Sequence, residues 1–176
     1  MDKEAILISI QPKWCELIAD RKKTVEVRKT KPKLKPPFKC YIYCTKSTQS
    51  DRLWVLSKNE RKENSGLSVI CANLNATSEI YLGDGKAIGE FVCDIIEPIA
   101  YTIDGYADIV DCKFSCMSPS DFLKYGKGGA LYGWHISDLK IYDEPKKLGE
   151  FGLTRPPQSW CYVEERSEDN DRLCKS

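Results

Sequence analysis

The sequence predicts an α+β fold: a small mixed β-barrel carrying short helices at its periphery. Three observations point there. Short apolar or alternating runs recur along the chain, separated by Gly- and Pro-rich turns, as in small barrels. Only two or three stretches read as short helices. The length, 176 residues, with 41% hydrophobic and 30% charged residues, suits one domain with an adequate core.

The elements follow in order. "AILISI" (5–10) is continuous and apolar, the mark of a strand buried on both faces. "QPKWCELIADRKK" (11–23) predicts a short helix. Pro12 suits its first turn, and Trp14, Leu17 and Ile18 fall at i, i+3 and i+4. "TVEVRK" (24–29) alternates as a strand, with Val25 and Val27 toward the core and Thr24, Glu26 and Arg28 on the opposite face. "KPKLKPP" (31–37) is a connection whose prolines cannot donate to a ladder.

"FKCYIYCT" (38–45) is a strand apolar on both faces. Residues 46–66 are polar and read as an inserted excursion of mixed helix or loop. "LSVICANL" (67–74) is compatible with strand or helix. "GDGK" is a turn leading into "AIGEFVCDIIEPIAY" (87–101), a long strand with Phe91, Cys93 and Ile95 on one face and Ile88, Glu90, Val92 and Asp94 on the other. "SPSDFLKYGKGG" (118–129) has a capping Ser118, Pro119 at the start, Asp121 in the first turn and Gly126 at the end. "LYGWHISDLKIY" (131–142) is a further strand, and "PPQSWCYVEE" (156–165) a proline-rich segment with a late apolar cluster. The expected organisation is one domain over 1–166 and a polar, disordered tail over 167–176.

Charge and cysteine content narrow the function classes. A net charge of +1 and a pI of about 7.4 argue against a protein that coats nucleic acid non-specifically. Charge is nonetheless polarised: between Arg21 and Lys39 a run of lysines and arginines faces a single acid, Glu26. Such a run can grip phosphates or simply form a solvated face. No 18-residue apolar stretch or signal-like segment appears, so the expectation is a cytoplasmic protein with no membrane partner. Nine cysteines in a reducing compartment are expected as thiols. Cys40 and Cys44, four apart on a strand, lie roughly 13 Å apart at normal rise, too far to share a zinc ion. No metal and no cofactor is expected.

The order strand, helix, "KKTVEVR", strand, "GEF", "GWHISDLKIY" resembles the ASCH domain family, within the wider PUA-like superfamily of nucleic-acid-binding β-barrels. The resemblance spans roughly residues 5–142, with 46–66 as an insertion. Lys23, Thr24, Glu26 and Arg28 match the family's G-x-K-T-x-E-x-R-like run, and Glu90 matches a polar position on the later strand. The usual glycine before the lysine is absent; Asp20-Arg21-Lys22 stands there. The resemblance implies a cleft between barrel and helix that binds RNA or a modified nucleotide.

It also implies an alternative, a metal-independent hydrolase acting on acylated cytidine or cutting RNA. The amide-hydrolysing subgroup uses a Lys, a Thr and a Glu. Lys23 and Glu90 would fill two of these roles, but Glu26 stands where that subgroup has its nucleophilic threonine. A third reading is a regulatory interaction module, with 46–66 as the partner surface.

The candidate catalytic set is Lys23, Thr24, Glu26 and Glu90. A threonine hydroxyl needs a base to become a nucleophile, and a pair of glutamates sharing a cleft can supply a general acid. The candidate ligand-binding set is Lys22, Arg28, Trp14, Trp134 and His135. Arg28 suits a phosphate or planar group, the tryptophans offer stacking surfaces, and the lone histidine could act in acid–base chemistry. The competing readings are a Glu–Arg ion pair on a strand face and tryptophans that only pack the core.

Overall fold

A computed structural model describes residues 3–46, 53–56, 68–71, 80–103, 106–110 and 113–166. The 167–176 tail and most of the 46–66 excursion lie outside the described residues. The chain runs β1 (Glu4–Ile10), α1 (Pro12–Ala19), β2 (Val25–Arg28), β3 (Phe38–Cys44), β4 (Leu53–Leu56), β5 (Ser68–Cys71), β6 (Ile80–Leu82), β7 (Lys86–Ile103), β8 (Tyr106–Ile109), α2 (Pro119–Gly126), β9 (Ala130–Lys146) and β10 (Trp160–Glu164), with a 3₁₀ turn at Leu148–Phe151. Among the described residues no helix is long and apolar enough to cross a membrane.

The main sheet has the order β10-β1-β3-β7-β9-β2, with β8 paired to β7; β5-β4-β6 form a second, small sheet. β1 and β3 are parallel, and the other pairs of the main sheet are antiparallel. The sheet curls but does not close: among the described residues β2 and β10, its two ends, share no ladder. The expected barrel is therefore corrected to an open sheet. Side chains bridge the seam instead. The Trp160 indole donates to Thr30 Oγ1 at 3.0 Å, and the Lys33 amide donates to the Tyr162 hydroxyl at 2.8 Å.

The inner strands carry the core because both of their faces are apolar. Ile6, Ile8 and Ile10 of β1 join Cys40, Ile42 and Cys44 of β3 on one face. Ala5, Leu7, Tyr41 and Tyr43 form the core of the other face with Tyr142 and Phe151. Val25 and Val27 pack with Ile99, Leu131 and Phe122 of α2 in a third cluster. Part of the polar excursion proves to be strand: Leu53 and Val55 of β4 are fully buried.

Bulges break the simple alternation expected along β7. The β7–β9 register shifts between Ala87 and Gly89 and again between Glu90 and Val92. Ile88 therefore shares a core with Phe91 and Cys93, while Ile95 is half exposed. Gly89 is required where β7 and β9 approach closely: a Cβ there would lie 2.5 Å from the Lys140 carbonyl oxygen.

Both helices stop where local chemistry dictates. Ser118 caps α2 in a capping box, accepting from the Asp121 amide at 3.2 Å while the Asp121 carboxylate accepts from the Ser118 amide at 3.0 Å. α1 ends earlier than its pattern suggests, because Arg21 adopts a left-handed conformation (φ 58°). The Arg21 and Lys22 amides then donate back to the Ile18 and Leu17 carbonyls. Arg21 thus takes the backbone geometry that a glycine favours in that turn.

Six cysteines among the described residues are free thiols. Burial pushes the Cys15 and Cys40 thiols well above their ordinary 9.0 and the Cys93 thiol up to about 12. A raised thiol keeps its proton in the folded state after the unfolded chain has released its own. The resulting stability is complete below pH 9.0 and is lost as pH rises toward about 12. Urea midpoints should fall between roughly pH 8 and pH 10.5. A Cys93→Ala variant should show a shallower fall; an equal slope in both proteins would contradict this assignment.

Candidate functional site

The open seam of the sheet holds a cleft of about 550 Å³, a size typical of small-ligand sites. Its floor is β2. Strand alternation directs Glu26 and Arg28 away from the Val25–Val27 cluster, and the seam leaves them room. α1 supplies Lys13 and Trp14, α2 supplies Asp121, Lys124 and Tyr125, and the approach to β10 supplies Gln158 and Ser159.

Three charged side chains are buried together at this floor. Lys23 is 2%, Glu26 5% and Arg28 6% exposed, so water screens them poorly. Glu26 Oε1 lies 3.1 Å from Arg28 Nη2, and Glu26 Oε2 lies 3.4 Å from Lys23 Nζ. Each cation is also tied to a distant carbonyl. Lys23 Nζ donates to the Ser115 oxygen at 2.6 Å, and Arg28 Nη2 donates to the Ser9 oxygen at 2.6 Å. Arg28 thus reaches from one edge of the sheet to β1, next to the opposite edge. Ser9 is itself fixed: its amide donates to the Ser159 oxygen at 2.9 Å and its hydroxyl to the Pro157 oxygen at 2.7 Å.

This network is incompletely satisfied. Glu26 Oε2 is within ion-pair range of Lys23 but not placed for a hydrogen bond, and Arg28 Nε has no partner among the described residues. A buried donor and a buried acceptor left open on adjacent side chains are costly in a purely structural network.

The lining of the cleft as a whole is cationic. Lys13, Lys23, Arg28 and Lys124 oppose Glu26 and Asp121, four positive charges against two negative, leaving a net +2. Hydrogen bonds from the Ser118 amide and hydroxyl hold the Asp121 carboxyl below its ordinary value, with Lys13 and Lys124 adding to the effect. Lys13 and Lys23 both sit over the Trp14 ring, at 4.3 and 5.0 Å from its centroid.

Of the residues singled out from sequence, the cleft therefore unites Trp14, Lys23, Glu26 and Arg28. The others lie elsewhere. Thr24 does not line the cleft; its backbone is taken up by the Phe114 and Ile136 segments. Lys22 is exposed and pairs with Asp20 at 3.0 Å. Trp134 is completely buried, edge-on to Phe38 at 5.9 Å, so the expected stacking surface is a core residue. His135 lies 2.7 Å from Glu97 Oε1, away from the cleft.

Glu90 belongs to the opposite face of the sheet. There it accepts from the Tyr142 hydroxyl at 2.6 Å and faces Lys39 at 3.5 Å. That placement corrects the expectation that Glu90 stands opposite Glu26: Phe91 and Cys93 face the core on the α1 side, and strand alternation turns Glu90 to the other face, beside Tyr41 and Tyr142. Sequence reasoning missed Ser9, Lys13, Lys124 and Tyr125. The pattern of α1 and α2 signals their apolar faces but not which polar residues flank the seam.

The fold and site define a class: an open, curled α+β sheet whose unclosed seam holds a charged cleft. No model of a known family matches the chain, and no curated protein matches it. Solved structures do. The chain is similar to the ASCH protein of Zymomonas mobilis at 16% identity and TM-score 0.56, covering 97% of this chain and 94% of that one. Two single-residue variants of that protein, one tyrosine to phenylalanine and one serine to alanine, match equally. They show TM-scores of 0.57 and 0.56, and 98% and 99% of this chain is covered. The chain has an ASCH-like fold.

Proposed function

We propose that the seam cleft binds one nucleotide unit of single-stranded RNA, or a free modified nucleotide, and that the protein is a binding module. The observation that carries this reading is the floor. Two buried polar atoms of cleft-lining residues, the Nε–H of Arg28 and Oε2 of Glu26, make no hydrogen bond among the described residues, and Oε2 has only the Lys23 ammonium at 3.4 Å. An open donor and an open acceptor on neighbouring side chains suit a base edge, which presents groups of both kinds. The net positive lining complements a phosphate. Both atoms are sealed from bulk water, so binding includes a small outward swing of these side chains. A duplex is too large for a cleft of about 550 Å³, whereas a base splayed from a single strand is not.

The hydrolase reading requires Lys23, Thr24 and Glu90 to converge. Thr24 does not line the cleft, and Glu90 sits on the other face with Tyr142 and Lys39. Binding is therefore the stronger reading of this cleft.

Calorimetric titration with cytidine 5′-monophosphate and with an RNA of about eight nucleotides tests the proposal. Wild type should bind both, more weakly as salt rises. Arg28→Lys keeps the charge but loses the planar fork, and should bind each at least about tenfold more weakly. Unchanged affinity in Arg28→Lys, or no binding by wild type, would refute it.

A further inference from the structure

The loop after β2 carries a feature that the cleft does not use. Lys29, Lys31, Lys33 and Lys35 are all exposed, whereas Pro32 is buried and Leu34 and Pro36 are partly buried, Leu34 against the core. The chain is therefore extended enough to turn its lysines outward and its apolar residues inward. Alternate residues lie at most about 7 Å apart along such a chain. A row of like charges at this spacing repels itself, and a mobile loop would relax the repulsion by spreading.

This loop is pinned instead. The Lys33 amide is held by the Tyr162 hydroxyl, Thr30 by the Trp160 indole, and Leu34 by the core. None of the four ammonium groups has an ion-pair partner among the described residues. Two lie over aromatic rings: Lys29 is 5.1 Å from the Tyr125 centroid and Lys31 is 5.5 Å from that of Tyr132. Beside the loop runs an aromatic row, Trp134–Trp160–Tyr162, with centroids 5.8 and 5.5 Å apart and Tyr162 at its exposed end.

The row begins at the cleft. Lys29 follows Arg28 directly, and the Tyr125 ring beneath it lines the cleft wall. We infer that Lys29, Lys31, Lys33 and Lys35 form a phosphate rail continuing from the cleft, so that the ligand is a single strand of RNA several nucleotides long rather than a free nucleotide. The inference rests on the reading of the cleft as a nucleotide site and extends it to a polymer. Unpaired cations on a rigid, aromatic-backed edge match the electrostatic groove and stacking surface that single strands use. Arg21 and Lys22 take no part: Arg21 bonds the Leu139 carbonyl and Lys22 pairs with Asp20.

The test compares wild type with a Lys31→Ala/Lys33→Ala/Lys35→Ala variant. These residues lie outside the cleft, and the loop's pins are backbone, Thr30 and Leu34 groups that the substitutions leave intact. Fluorescence anisotropy would be read for cytidine 5′-monophosphate by competition and for RNAs of about 4, 8 and 12 nucleotides across a salt series. Wild-type affinity should rise with length and then level. The variant should bind the mononucleotide as wild type does, and the length gain should vanish. The slope of log affinity against log salt for the longer RNAs should flatten by about 2, three contacts at roughly 0.7 each.

A wild-type length dependence that the variant keeps in full would overturn the rail and leave the cleft reading standing. A mononucleotide that neither protein binds, with RNA binding that the variant loses, would overturn the cleft reading alone. If the triple variant loses binding to phosphatidylserine vesicles but not to RNA, the rail serves a membrane surface and the inference is wrong.

Discussion

Glu26→Ala is expected to destabilise the protein by about 3–5 kcal/mol, the cost of removing one partner from a buried ion network. Lys23 and Arg28 would remain at 2% and 6% exposure with no carboxylate between them. Full escape of either to water would also break the 2.6 Å hydrogen bond that each makes to a carbonyl of a distant segment. A loss of this size takes a large share of a typical folding free energy. For a chain of this length it corresponds to a fall in Tm of roughly 10 °C. Thermal unfolding followed by circular dichroism reads it directly. A change under about 1 kcal/mol would mean that the pair is screened like a surface bridge, contrary to its burial.

The second expectation separates stability from function. A Lys23→Met/Glu26→Leu/Arg28→Met variant removes all three charges at similar volume. Buried ionic networks replaced in this way are often neutral or more stable by about 1–4 kcal/mol. Here two acceptors, the Ser9 and Ser115 carbonyls, lose their donors, which costs about 1–3 kcal/mol each. The net result should lie within about 2 kcal/mol of wild type, well above Glu26→Ala alone, while nucleotide binding is lost. Chemical denaturation beside calorimetric titration separates the two quantities. A triple variant less stable than Glu26→Ala would make the triad a structural device, and its unpaired atoms would no longer argue for a ligand.

The parts of this site legible in the sequence are those fixed by local periodicity. The alternation in "TVEVRK" placed Val25 and Val27 in the core and Glu26 and Arg28 together on the other face, as the structure has them. The same alternation could not show that this second face is also buried. That follows from Ser9 and Ser115, carbonyls brought in by β1 and by the segment before α2. Glu90 was misplaced for a related reason: its alternation with Phe91 and Cys93 was legible, but not that those two face the α1 side, which turns Glu90 away from the cleft. Trp134 and Trp14 looked alike as stacking surfaces, yet one is sealed in the core and the other lines the cleft.

Closure was equally beyond the sequence. Strand runs reveal how many strands there are, whereas the gap between β2 and β10 depends on how far the sheet curls. The cleft exists because the sheet stays open there. The "KPKLKPP" stretch, read from sequence only as a proline-rich connection, is in the structure a pinned edge to that gap.

The most direct measurement is the side-chain Nε–Hε resonance of Arg28 in a ¹H–¹⁵N spectrum, assigned by its loss in Arg28→Lys. Burial should make it slow to exchange and visible in the free protein. On titration with cytidine 5′-monophosphate it should shift in step with the Trp14 indole signal, because the unpartnered N–H gains an acceptor and the neighbouring ring feels the ligand. A saturating titration in which the Arg28 and Trp14 signals stay fixed while other resonances move would place the ligand elsewhere and contradict the account of the seam cleft.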